Sequence, residues 1–364
     1  MATDFFARRE QALSNTVWLV VLYGLGILAG LLTIWAALAG LLYLFRFLWG
    51  LEDILFTRGT LWDPKVMLFA GIVTLAVMLG GVIHKFRQLK NGGRSVAAML
   101  GAVPVFEDAP HSWTVLANVV EETAIAANIP TPKPYVLADE YSINALAAGH
   151  TPFDAAIIVT RGLVDNLNRD ELQGVVAHET SHILNGDMRL NTRLMAFLHG
   201  LMLFYFMGCA MTASLVSEQD SAPGLSMSDR EGVSAIAIVG VVLMAAGGLG
   251  AFFGSWIKAA VCREREKLAD AEAVRYTRNP KGLAGALKII GGLPFQGRLR
   301  NPQAAQVSHM VLAKGHAPLF GDFFATHPPL DDRIRWIEPD WDGDYPAPVD
   351  AWKQMSRMGQ GLGG

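Results

Sequence analysis

Charge is what this sequence is short of. Only 17% of its 364 residues are Asp, Glu, Lys or Arg, against about 25% in an ordinary soluble domain. Neither sign dominates: the formal net charge is −3, so no global basic field points to nucleic acid as a partner. Cysteine is scarce too. Cys209 and Cys262 are the only two, which excludes a disulfide scaffold. In place of charge stand apolar residues, 52% of the chain, with a mean hydropathy of +0.31. Such a chain is neither disordered nor a simple soluble globule. Part of it belongs in lipid.

Four apolar runs are long enough to cross a bilayer, for which about 20 helical residues suffice. The first, Val17 to Trp49, contains Arg46 as its only charge. It is longer than one crossing needs, so it tilts or extends beyond the membrane. It also far exceeds the apolar core of a cleaved signal peptide, about 7–15 residues, and reads as a retained anchor. The second run spans about Val66 to Ile83 and the third about Leu194 to Val216. The fourth, Val233 to Ile257, carries Gly250 and Gly254 at a spacing that lets helices approach closely. The competing reading of the last two is a buried helical hairpin that never crosses.

Basic residues give the orientation. Arg8 and Arg9 precede the first run; Lys85, Arg87, Lys90 and Arg94 follow the second; Lys258, Arg263, Arg265 and Lys267 follow the fourth. The short connections hold only Arg58 and Lys65 in one and Arg230 in the other. By the positive-inside rule both termini and the stretch between runs two and three are cytoplasmic. The expectation is a multi-pass protein of the cytoplasmic membrane. No disulfide is expected on that side.

Residues 88–192 change character. His111 to Asn128 has the apolar spacing of an amphipathic helix, interrupted by Ile129-Pro-Thr-Pro-Lys-Pro134. Tyr135–Ala138, Ala145–Ala148 and Ala155–Thr160 read as short strands. Asn168-Arg-Asp-Glu171 fits a capping box, so a helix should start near Arg169 and end before Gly186. No internal repeat is evident, and the tail from Met358 to Gly364 is glycine-rich and expected to be flexible.

Inside the capped helix lies His178-Glu179-Thr180-Ser181-His182. Residues four apart share a helix face, so both imidazoles can meet one tetrahedral zinc. Glu179, about 100° further round, can reach a metal-bound water without ligating the metal. With nine histidines in the chain, chance produces this pattern in roughly one such sequence in a hundred. Apolar Val175, Val176, Ile183 and Leu184 nevertheless argue against an exposed helix with two surface histidines. A third protein ligand is still needed. Asn185 and Met188 stand where the metzincin extension requires Gly and His, so that class fails. The segment Cys262-Arg-Glu-Arg-Glu-Lys-Leu-Ala-Asp270 offers Glu264 or Glu266. Glu266 and Asp270 share a face, so one can bind metal while the other orients a ligand imidazole. A solvated run of charge beside the membrane is the bland alternative.

These residues resemble the HtpX-like family of membrane-embedded zinc metallopeptidases. The resemblance covers roughly residues 85–340. It rests on Asn144-Ala145, Val159-Thr-Arg-Gly-Leu163, Leu167–Leu172 leading into HETSH, Arg263–Glu266 with Ala269-Asp270, and Thr326–Arg333. It selects Glu266 over Glu264 as third ligand, although Cys262 replaces a serine and Lys267 an aromatic of the family pattern. It implies an α+β, mainly helical gluzincin fold, with a transmembrane hairpin inserted between the two metal motifs. It also implies one zinc per chain, Asp270 behind a ligand, Glu179 and His327 in catalysis, and substrate held by Asn144, Ala145 and Arg333. His327 is expected at the oxyanion; the bland alternatives are a helix-start histidine before two prolines and an Arg333 that binds an acidic neighbour.

The resulting division is a two-helix membrane anchor at 1–87, a cytoplasmic catalytic part at 88–192 carrying HETSH, an inserted hairpin at 193–257, and a second cytoplasmic part at 258–364. The expected activity is zinc-dependent endoproteolysis at the cytoplasmic face, in quality control of misfolded membrane proteins. Polypeptides and the bilayer are the expected partners. A processing peptidase for prenylated C-terminal motifs uses similar chemistry, but such relatives have more membrane helices than the four readable here. A zinc-binding scaffold without catalysis would not need Glu179.

Overall fold

The computed structural model describes residues 2–49, 64–88, 92–106, 108–221, 227–293, 297–300, 311–313 and 325–346. The glycine-rich tail from Met358 and the connection carrying Arg58 lie outside the described residues. In chain order the elements are α1 (Ala2–Trp49), α2 (Pro64–Gln88), α3 (Gly92–Met99), β1 (Val103–Pro104), α4 (His111–Ala127), β2 (Lys133–Leu137), β3 (Ala145–Ala148) and β4 (Ala156–Thr160). There follow α5 (Arg161–Asn166), α6 (Arg169–Leu184), α7 (Asp187–Ser221), α8 (Met227–Thr277), α9 (Pro280–Gly292) and α10 (Leu330–Ile337). The fold is α+β and mainly helical, as expected.

The chain forms two compact units, one of residues 1–19, 89–192 and 259–364, the other of 20–88 and 193–258. Glu10–Tyr43, Pro64–Gln88, Asp187–Ala213 and Ile236–Thr277 are long and apolar enough to cross a membrane. These are the four expected spans. Their outward faces are apolar: Leu25 and Leu32 on α1, Leu68 and Ile72 on α2, and Leu249 and Phe253 on α8 are exposed. Surfaces of that kind suit a hydrocarbon surround. Within the same unit α7 and α8 approach closely. A Cβ on Gly250 would come within 2.7 Å of Leu201, and one on Gly254 within 3.0 Å of Leu198. The small residues seen in the sequence therefore face a partner helix.

The other unit is built round a four-stranded sheet in the order β1-β2-β4-β3. β2 and β4 are parallel, while β3 runs antiparallel to β4 with Ala145 opposite Val159. Every residue of β3 and β4 is buried. α6 packs against α4 and α9 over a core that includes Leu116, Val120, Val176, Leu283 and Leu287. Gly174 permits the contact with α9, since a Cβ there would lie 2.4 Å from the Leu283 backbone nitrogen.

The start and stop of α6 follow the sequence. The Asn168 side chain accepts from the Asp170 and Glu171 amides at 3.0 Å each, and Glu171 accepts from the Asn168 amide at 2.9 Å. These bonds satisfy donors that a helix N-terminus leaves orphaned. Gly186, at φ +70°, turns the chain out of the helix and into α7.

Candidate active site

α6 lies under the sheet with His178, Glu179, Thr180 and Ser181 all buried. Nε2 of His178 and Nε2 of His182 face each other at 3.1 Å. α8 brings Glu266 to the same point, with its carboxylate 3.7 Å from His178 Nε2 and 3.5 Å from His182 Nε2. One donor atom from each of the three lies within 4.8 Å of the others. Ligands about 2.0–2.1 Å from a tetrahedral zinc stand about 3.3–3.4 Å apart, so the spacing fits such an ion. Glu264, the alternative ligand, instead accepts from Asn15 and Lys267.

The outer nitrogens fix the imidazoles. His178 Nδ1 is 2.9 Å from Asp270, and His182 Nδ1 is 2.7 Å from Asp187. With each Nδ1–H donated to a carboxylate, both Nε2 lone pairs turn toward Glu266. Two lone pairs and a carboxylate converging in a buried space suit a cation between them. Electrostatics agree. Burial works against a charged His182, but the hydrogen bond and charge of Asp187, with those of Glu266, raise its pKa well above that of ordinary histidine. Burial instead lowers His178, against the opposing pull of Asp270.

Glu179 points into the same region. Neither carboxylate oxygen has a hydrogen-bond partner among the described residues. Burial pushes its pKa up to about 8, although the charge of His182 pulls the other way. A carboxyl group so tuned can both take and return a proton near neutrality.

His327, from the segment before α10, places Nδ1 3.3 Å from Glu266. Nearby, Arg263 donates to the Ala325 carbonyl at 2.7 Å. Arg333, expected on substrate, is instead fully buried beside His178 and Glu266. It donates to both Asp270 oxygens at 2.8 and 2.7 Å and to the Leu312 carbonyl at 2.6 Å, and lies 3.1 Å from Glu266. Those two carboxylates outweigh the burial penalty and raise its pKa further. The geometry makes it a clamp.

Asn144 is also internal. Its amide donates to the carbonyls of Gly297 and Ala313 at 2.7 and 3.2 Å, and its oxygen accepts from the Ala145 amide at 2.9 Å. The free side of β3 is partly taken by the chain itself, since Leu146 bridges Val311 and the Leu312 amide donates to the Ala145 carbonyl. Ala147, two residues on, lines a small cavity with His182, Asp187, Cys262 and Glu266. Asp187 and Ala147 are the site residues that sequence reasoning missed. Asp187 is held in turn by Arg265 from α8.

The model of peptidase family M48 matches residues 110–339, a stretch that contains every one of these groups. The chain belongs to peptidase family M48. A protease HtpX homolog of Thermoanaerobacter pseudethanolicus is 34% identical over 74% of this chain and 84% of its own. The HtpX homolog of Dictyoglomus thermophilum is 39% identical over 64% of this chain and 71% of its own. The crystal structure of S. mikatae Ste24p superposes with a TM-score of 0.36 at 18% identity, covering 82% of this chain and 62% of that one. M48 membership makes the protein a membrane-bound metalloprotease with polypeptide substrates. The family implies a metal, generally zinc, and the His-His-Glu donor set fits one.

Proposed function

We propose that this M48 enzyme is an endopeptidase using one zinc ion per chain, held by His178, His182 and Glu266. The observation that carries the reading is the pair of Nε2 atoms 3.1 Å apart beside a buried carboxylate, each imidazole tied from behind by Asp270 or Asp187. Zinc in that position supplies Lewis acidity, polarising a peptide carbonyl and acidifying water. Glu179 is the general base: it takes a proton from the attacking water and returns it to the departing amide nitrogen. Asp270 and Asp187 keep the imidazoles in the tautomer that presents Nε2. Arg333 neutralises Asp270 and Glu266, so that the buried acids do not repel each other. His327 stands beside Glu266 and serves the oxyanion. Asn144 shapes the edge of the cleft through Ala145, and a substrate strand pairs along β3 near Ala147.

The flanking basic clusters support an active site on the cytoplasmic face of the cytoplasmic membrane. Unfolded or membrane-derived chains are the proposed substrates, because an extended segment is what a strand edge can hold.

The test is Glu179→Gln. The variant should bind zinc as wild type does and cleave an unfolded reporter protein about 10²–10⁴-fold more slowly. Normal cleavage by that variant would remove Glu179 from catalysis. The same inactive variant, recovered from its own membrane, should retain uncut substrates for identification.

A further inference from the structure

Apart from the ligand cluster, the catalytic unit contains a cavity of about 350 Å³ lined by Gln11, Asn15, Glu264, Lys267, Asp270 and Trp336. That is the size of a small-molecule site, which runs from about 300 to 1,000 Å³. Its position follows from the turn of α8. At about 100° per residue, Glu264, Lys267 and Ala271 share one face and Glu266 faces another, with Asp270 between the two. The cavity is therefore on the far side of α8 from the histidines, with Asp270 as its inner wall.

Its polar groups form a charge pair. Lys267 Nζ lies 2.6 Å from Glu264 Oε1 and 5.0 Å from the centre of the Trp336 ring, and Asn15 donates to Glu264 Oε2 at 3.1 Å. Asp270 is already neutralised by Arg333, so the described wall offers one anion and one cation, Glu264 and Lys267, which pair with each other and must part to take a ligand of both signs. A ligand bearing both signs complements it, with an ammonium donating to Glu264 and a phosphate accepting from Lys267 and the amides of Gln11 and Asn15.

Depth along the helices names the source of such a ligand. Trp18, exposed on α1 at the start of the first apolar run, follows Asn15 by less than one turn. Exposed tryptophans at the ends of apolar spans mark the bilayer–water interface. Gln11 and Asn15 of the cavity wall thus stand within about two helical turns of such an interfacial tryptophan.

We propose that this cavity binds the phosphoethanolamine headgroup of a membrane phospholipid. A primary ammonium can donate to Glu264, which a quaternary choline cannot, and phosphatidylglycerol has no cation to offer. The test is native mass spectrometry of the full chain in detergent with equal amounts of phosphatidylethanolamine, phosphatidylcholine and phosphatidylglycerol. Phosphatidylethanolamine should be retained preferentially, and soluble O-phosphoethanolamine should displace it. Glu264→Gln with Lys267→Ala should lower its retention about tenfold, as loss of charge-assisted bonds requires. Asn15→Leu, an exposed change on α1, should lower it independently. Equal retention of the three lipids, failure of the soluble headgroup to compete, or unchanged binding by both variants would overturn the assignment.

Discussion

Each imidazole of the proposed metal site leans on a carboxylate: His178 on Asp270 at 2.9 Å and His182 on Asp187 at 2.7 Å. Asp187 is further fixed by Arg265, and Asp270 by Arg333. Replacing such an outer partner costs about 10–100-fold in metal affinity. Asp187→Asn should therefore weaken zinc binding by that factor in competition with a chromophoric chelator, while leaving the fold intact. Unchanged affinity would mean that the helix alone holds His182. Asp270 was legible because it lies one helical turn beyond Glu266. Asp187 was not, since it sits past the end of α6 and reaches back only through the turn at Gly186. Arg333 was read near the cleft, on substrate or else on an acidic neighbour. Sequence placed it in the right neighbourhood, and only packing shows its guanidinium committed to Asp270 and Glu266.

At the scale of elements, α6 is the piece on which the chemistry stands, and its start is set locally. Asn168 and Glu171 close both halves of the capping box. Asn168→Ala should cost about 1 kcal/mol of stability, read as a lower unfolding midpoint at unchanged zinc stoichiometry. A null effect would show that packing against α4 and α9 alone fixes the helix. Local signals of this kind made the sequence readable here: caps, the prolines at 130–134 and the alternation of short strands placed α4, β3 and α6 within a residue or two. Two features escaped because they depend on distant partners. One is the approach of α9 to Gly174. The other is the pairing of residues 311–313 with β3, which no periodicity near residue 311 announces.

At the scale of the whole molecule, the two metal motifs are far apart in sequence because α7 and the apolar part of α8 lie between them. The four spans and the distribution of Lys and Arg underlie the topology proposed above, with both termini cytoplasmic. Reporter fusions after residues 58 and 225 should register outside the cytoplasm, and one after residue 90 inside it. A cytoplasmic signal at 225 would mean that the inserted hairpin does not cross. Span number was legible because hydrocarbon thickness dictates length. Which faces meet lipid was not, since every side of these helices is apolar.

Purified full-length protein, active on an unfolded reporter, provides the most direct measurement: its divalent-metal content by elemental mass spectrometry, before and after chelation. One zinc per chain is predicted, with activity falling as zinc is withdrawn and returning on its readdition. The Glu266→Ala protein should be depleted of zinc and the Glu264→Ala protein replete. Fully active protein containing no stoichiometric divalent ion and indifferent to chelators would contradict the account.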